Sequence, residues 1–193
     1  MKDYSKIDKY LNELKKDIYA QEVDEVHQQQ TKAIFVNWLD ALVKSGEIKN
    51  ALDIGCGQGI AFPCFTEFNI DFTAITLGED FEVVREKYPE AKVLGMDMHF
   101  LDFPDKHFDL IYSRHILEHS PMPLLALMEW HRVAKKYAVI IVPHHINVVQ
   151  GGINHYYILD PTQWGVLFRR AKWEVLKEDF SDMWEYRFLL KKI

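Results

Sequence analysis

Asn50-Ala51-Leu52-Asp53-Ile54-Gly55-Cys56-Gly57-Gln58-Gly59 is a short apolar run closed by a glycine-rich turn. In an α/β protein this pattern marks the end of a buried first strand and the loop into the next helix. Glycine allows φ > 0 and lets a ligand come close to the main chain. The helix start behind such a loop offers free N–H groups and the positive end of a dipole. The spacing is G-x-G-x-G, and Ile60 stands where a dinucleotide fingerprint continues toward its third glycine. Asp53, two residues before the first glycine, suits a ligand with a cationic amino-acid part better than a pyrophosphate. A tight turn that binds nothing is the alternative.

Upstream, Ile7, Tyr10, Leu11, Leu14 and Ile18 recur at helical spacing from Tyr4 to Ala20. A second helix is expected from Asp24 to Lys44, with Ile34, Phe35, Trp38, Leu39 and Leu42 on one face and Ser45-Gly46 as its stop. The first helix either packs on the second or lies across a ligand cleft. Downstream, Ile60 to Phe68 reads as a short helix confined by Pro63, Asp71 to Ile75 as a strand, and Glu79 to Lys87 as a helix. Strands follow at Lys92 to Gly95 and Phe108 to Ser113. Pro121 to Lys136 is expected to be helical, with Leu124, Leu127 and Met128 facing inward. Tyr137 to Val142 is the most apolar strand, Asp160 caps a helix from Pro161, and Trp173 to Lys177 and Arg187 to Leu190 close the sheet. Trp164, Trp173 and Trp184 are expected in the core.

Strands alternating with helices predict an α/β fold: a Rossmann-like, doubly wound, mostly parallel seven-stranded sheet with an N-terminal helical extension. We expect a single domain over 1–193, with helices over 1–48 and the Rossmann-like core over 49–193. The glycine turn, Thr76, Asp97 and Ser113 all fall at strand carboxyl ends, where ligands bind in such sheets.

At 193 residues, with 48% hydrophobic and 27% charged residues, the chain can bury one core. A formal net charge of -6 argues against a broad nucleic-acid-binding surface. No apolar run approaches a membrane span. Cys56 and Cys64 make neither a C-x-x-C pair nor a disulfide framework, so a cytoplasmic protein is expected.

From Ala51 to Val175 the chain resembles the class I S-adenosylmethionine-dependent methyltransferases, in particular the type 11-like domain. The resemblance implies that S-adenosylmethionine is the cofactor and S-adenosylhomocysteine the product. Asp53, Gly55, Cys56, Gly57 and Gly59 match the first motif, whose loop backs the methionine part while the acid orients its ammonium. The second strand of the family ends in an acid that binds the ribose hydroxyls. Here that position is Thr76, followed by Leu77, and this departs from the family. Glu79 and Asp80 are both near enough to substitute, and for Asp80 the helix start, where acids favour the dipole, is the preferred role. Gly95-Met96-Asp97-Met98 resembles the third-strand motif, with Asp97 toward the adenine amino group and Met98 on the ring. Leu101-Asp102-Phe103-Pro104 through Phe108-Asp109 resembles the entry to the fourth strand. Ser113 is expected to touch the cofactor, and Arg114 and His115 to begin the wall of the acceptor cleft.

His115-Ile116-Leu117-Glu118-His119 also matches H-x-x-E-H, the zinc signature of inverted metallopeptidases. The same letters resemble the Leu-Glu-His that follows the fourth strand in many methyltransferases, and a third protein ligand has little room in this chain. No metal is therefore expected. His119, His144 and His155 are candidate general bases, each equally readable as a histidine bonded within a loop. The expected activity is methyl transfer to a small or medium organic acceptor. The alternatives are a non-catalytic binding module on the same fold, motivated by Thr76, and, further off, a zinc hydrolase or an NAD-dependent oxidoreductase.

Overall fold

The computed structural model describes Lys9 and residues 25–146 and 154–193. Apart from Lys9, the helix expected from Tyr4 to Ala20 lies outside the described residues. Helix α1 (Glu25–Ile34) passes through a π-type turn, Phe35–Leu39, into α2 (Asp40–Lys44). Then come β1 (Asn50–Ile54), α3 (Phe62–Glu67), β2 (Asp71–Thr76), α4 (Glu79–Lys87), β3 (Lys92–Gly95) and β4 (Phe108–Arg114). A 3₁₀ turn, Leu117–His119, leads to α5 (Pro123–Val133), β5 (Ala134–Pro143), α6 (Pro161–Arg170), β6 (Trp173–Asp179) and β7 (Glu185–Lys192).

The strands form one seven-stranded sheet in the order β3-β2-β1-β4-β5-β7-β6. β7 runs antiparallel to both its neighbours, and the pairs among β1 to β5 are parallel. Chain order reverses between β1 and β4, which is where an open sheet of this type leaves a crevice. Register fixes what lines it: Ile54 stands opposite both Ile75 and Ser113, and Thr76 opposite Gly95. The central strands are apolar along their length because helices cover both faces. Every residue of β4 is buried.

On one face α5 and α6 bury Leu127, Trp130, Trp164 and Phe168 against Trp173 and Phe188. On the other, Phe35 and Leu39 pack with Phe65, Tyr112 and Ile141. The π turn explains how neighbouring Ile34 and Phe35 both reach this core, since its wider winding closes with Asp40 N–H donating to the Phe35 carbonyl. Helix α6 starts as expected: Asp160 Oδ1 accepts from Gln163 N and Gln163 Oε1 accepts from Asp160 N, a capping box with Pro161 at the first turn.

Three expectations are corrected here. The helix expected to run from Pro121 to Lys136 spans Pro123–Val133, and Ala134–Lys136 already belong to β5. Ala134 pairs with Phe108, so ladder bonds outweigh the helical preference of Ala-Lys-Lys. Met128 lies on the solvent side of α5 and is exposed, and the buried positions are Ala126, Leu127, Trp130 and Val133. Trp184 is also exposed, in the turn between β6 and β7, whereas Trp164 and Trp173 are fully buried.

Candidate functional site

The loop after β1 folds back onto β2. Gly55 N and Cys56 N both donate to the Ile75 carbonyl, at 2.8 and 3.0 Å. The glycines at 55, 57 and 59 have φ of 69°, 50° and 81°, a region that side chains disfavour. Their surroundings differ. A Cβ on Gly55 would stand 2.2 Å from the Ile116 side chain, and one on Gly59 2.8 Å from the Tyr88 ring. A Cβ on Gly57 would meet only Asp80 Oδ2, at 3.8 Å. Gly55 and Gly59 therefore serve packing, while Gly57 keeps the ligand side of the loop bare. Gly55→Ala is expected to destabilise the fold by about 1–2 kcal/mol through φ strain and displacement of Ile116, measured as a lowered urea midpoint.

Beyond this loop lies a cavity of about 220 Å³ lined by residues from the carboxyl ends of β1, β2, β3 and β4. Gly55, Cys56, Gly57, Thr76, Leu77 and Met98, all expected at a ligand site, line it. Gly59, Asp97 and Ser113 do not. Asp53 lies one layer below the loop, with Oδ2 lacking a hydrogen-bond partner among the described residues. Burial pushes its carboxyl up to about 8. Cys56 and Cys64 are buried free thiols.

Asp80 lies in the first turn of α4, as expected of an acid at the helix start. It also lines the cavity, beside Gly57. Burial raises its carboxyl above the usual range, opposed by a hydrogen bond from Gln58. Oδ1 has no partner among the described residues. Glu79 does not line the cavity.

Ile75, Leu77, Met96 and Met98 give the cavity an apolar side. The Met98 carbonyl is fixed by Trp130 Nε1 at 3.0 Å. Asp97 turns to its own loop: Oδ1 accepts from His99 N at 2.9 Å and lies 2.7 Å from His99 Nδ1. His99 Nε2 is 2.6 Å from Ser120 Oγ, which also accepts from Met122 N. This Asp-His-Ser chain is a brace, since Ser120 is buried, and it joins the loops on two sides of the cavity. Arg132 holds the Leu101-to-Asp105 segment by donating to the carbonyls of Leu101 and Phe103 and to Asp105.

The far end of the cavity is made by His27, Arg114, His115, Ile116, His119 and Asn154. Arg114 donates to the His27 carbonyl, Thr31 Oγ1, Gln30 Oε1 and Glu185 Oε2, and so anchors α1 over β4. His115, at φ 53°, places Nε2 3.1 Å from the same Glu185 oxygen. Burial opposes ionisation of Glu185, but the His115 hydrogen bond and the Arg114 charge prevail and hold it down at about 2. Burial lowers His115 as well, and lowers His119 to about 4. It raises Glu118 to about 8. His155 sits beside His119, with ring centroids 4.6 Å apart. His144 stands apart, stacked on His145 and tilted against Tyr186.

A pH dependence follows. Asp53 binds its proton more tightly folded than unfolded, so its contribution falls as pH rises from about 4 to about 8. Glu185 binds its proton less tightly folded, so its contribution is present above about 4.5 and is lost as pH falls toward about 2. Urea-unfolding stability of the ligand-free protein should peak at mildly acidic pH. Asp53→Asn should make the alkaline decline shallower, leaving the share that the buried Glu118 carboxyl contributes, and leave the acid limb in place.

Several lining residues carried no signal in the sequence. His27 and Asn154 reach the site only through the docking of α1 and of the chain before α6. Gln58 occupies an x position of the G-x-G-x-G pattern, and for Asp80 the sequence offered a ribose role beside the preferred helix-start role.

A sequence model of the methyltransferase domain matches residues 52–142. Among curated proteins, the chain is 29% identical over 100 residues to a phosphatidylethanolamine N-methyltransferase of Cereibacter sphaeroides, covering 49% of each. The chain thus spans about half the length of the curated relative it matches. Among solved structures it is similar to the PH0226 protein of Pyrococcus horikoshii, with a TM-score of 0.73 and 14% identity over 91% of this chain and 95% of that one. It is also similar to the 1,6-didemethyltoxoflavin-N1-methyltransferase of Burkholderia thailandensis, solved with 1,6-didemethyltoxoflavin and S-adenosylhomocysteine. There the TM-score is 0.67 and the identity 18%, over 88% of this chain and 79% of that one.

Proposed function

We propose that the chain is a class I S-adenosylmethionine-dependent methyltransferase that transfers the methyl group to a small or medium organic acceptor, a reading supported by the methyltransferase-domain match over residues 52–142. The observation that carries this reading is the two-sided cavity at the β1/β4 switch point. One side offers a bare glycine loop over a buried acid. Against that loop stands a buried carboxylate, Asp80, and the other side is an apolar slot. That arrangement suits a ligand with an amino-acid end, a ribose and a flat ring.

In this assignment Gly55, Cys56 and Gly57 back the methionine part, and Asp53 biases that end toward a cation. Asp80, with Thr76 beside it, binds the ribose hydroxyls in place of the acid that β2 lacks. Met96, Met98, Ile75 and Leu77 enclose the adenine, and the Asp97–His99–Ser120 brace keeps that slot in shape. Gly59 and Ser113 act by packing. The bound cofactor supplies an already activated methyl group, so the chain's residues mainly orient the acceptor and exclude water.

The acceptor enters at the end walled by His27, His115, His119 and Asn154. His115, held through Nε2 by ionised Glu185, is the proton acceptor in this reading. Arg114 is already engaged by four acceptors, so it orients α1 and is not the group that captures an acidic substrate. An amine nitrogen is one acceptor class to test, as the name of the curated relative suggests. S-adenosylhomocysteine formation should be followed with panels of amines, phenols and carboxylic acids. Turnover with any panel supports an enzyme, whereas cofactor binding without turnover across all of them favours the non-catalytic module.

A further inference from the structure

Glu118 is the most unusual side chain beside the cavity. It is fully buried, and neither carboxylate oxygen has a hydrogen-bond partner among the described residues. A buried carboxyl left in this way is unfavourable unless something absent from the bare fold completes it. His119 and His155 stand next to it. One donor atom from each of Glu118, His119 and His155 can be chosen so that all lie within 4.8 Å of one another.

The orientation of the imidazoles narrows the ligand. His119 Nδ1 lies 3.0 Å from the Asn154 carbonyl, so it carries the proton and donates. Nε2 is then the lone-pair nitrogen, and it faces Glu118 Oε1 at 3.9 Å. A backbone carbonyl that fixes one ring nitrogen while the other is offered to an ion is the usual support of a metal-binding histidine. His155 Nδ1 is buried without a hydrogen-bond partner among the described residues. His115 is held by Glu185 through Nε2, and its Nδ1 lies 3.7 Å from Glu118 Oε1 on the border of the cluster. The fold thus breaks up the H-x-x-E-H pattern: the segment is a 3₁₀ turn, and the further donor comes from the chain before α6.

We propose that Glu118, His119 and His155 bind a divalent transition ion of the zinc type at the acceptor end of the cavity. Two imidazoles and one carboxylate suit such an ion, whereas magnesium and calcium call for oxygen donors. A tetrahedral zinc with bonds of about 2.0–2.1 Å needs donors roughly 3.3 Å apart, which small side-chain rotations achieve from the present spacing. Three protein ligands leave a position open, and His119 itself lines the cavity. The ion's role there rests on the proposed methyl transfer: it would hold an oxygen or nitrogen of the acceptor and ease loss of its proton. Its binding does not depend on that reading.

The test is zinc titration of the metal-free full chain against a chromophoric chelator, with cobalt(II) substitution as a spectroscopic check. Wild type should bind one equivalent and give the visible cobalt bands of an imidazole-bound site. Glu118→Gln, close in shape, and His155→Ala should each weaken zinc at least about a hundredfold and lose those bands, with their circular dichroism kept. His107→Ala, on the exposed surface, should bind as wild type does. Absence of stoichiometric zinc and cobalt binding by wild type overturns the proposal, and so does unaltered zinc binding by Glu118→Gln. S-adenosylhomocysteine binding by the same samples separates the two readings: zinc bound without it breaks the methyl-transfer assignment alone, and the reverse breaks the metal site alone.

Discussion

Arg114→Met is expected to destabilise the folded chain by about 3–5 kcal/mol, toward the lower end of that range. Arg114 ends β4 inside the protein, and its guanidinium meets Glu185 Oε2 at 2.7 Å with both side chains buried. Methionine fills much of the volume but leaves Glu185 short of a cation. It also strips donors from Thr31 Oγ1, Gln30 Oε1 and the His27 carbonyl. Each of these lies on α1, so the loss is concentrated where that helix docks. Arg187, 2.7 Å from Glu185 Oε1, keeps the carboxylate partly paired and moderates the cost. Urea unfolding gives the magnitude, and hydrogen exchange gives the place: amides of α1 should lose protection before those of β4 and β5. Replacing Arg114 and Glu185 together with apolar residues should cost less than Arg114→Met alone, because no charge is then stranded. Equal protection of α1 in Arg114→Met and wild type would show that the helix is held by Phe35 and Leu39 alone.

Asp80→Ala is expected to weaken S-adenosylhomocysteine binding by about 2–3 kcal/mol, roughly 30- to 150-fold, with little loss of stability. A carboxylate receiving two ribose hydroxyls makes charge-assisted bonds, and alanine supplies none. Asp80 has an unpartnered oxygen and a carboxyl raised by burial, so the free fold gains little from it. Thr76→Asp in the Asp80→Ala background should recover part of the affinity by restoring an acid at the end of β2. A merely structural Asp80 would instead lower the unfolding midpoint, leave the dissociation constant unchanged, and gain nothing from Thr76→Asp.

The sheet was legible because its signals are local. Apolar runs bounded by turn residues mark β1 to β5, and Asp160-Pro161 announces α6 directly. The boundary at Val133 was not legible, since Ala-Lys-Lys favours helix and yields only to the ladder with β4. The glycine loop gave the site its position, but not the division of labour within it: Gly55 and Gly59 face Ile116 and Tyr88, residues distant in the chain. Asp80 was legible only as one of two readings, because an acid in the first helical turn already has a common explanation. His27, Asn154 and the pairing of His155 with Glu118 depend on how separate segments meet, and no spacing rule encodes that. The Asp97 motif said nothing of His99, whose backbone N–H and ring nitrogen both meet Asp97 Oδ1.

If the cavity lined by the glycine loop and Asp80 is a cofactor site, isothermal titration of the wild-type chain with S-adenosylhomocysteine shows it most directly. Saturable binding of one equivalent per chain, with a dissociation constant in the micromolar range, is the predicted result. A folded protein that gives no binding heat at millimolar ligand would contradict it, and would turn Thr76 from a variation on the ribose site into the mark of a lost one.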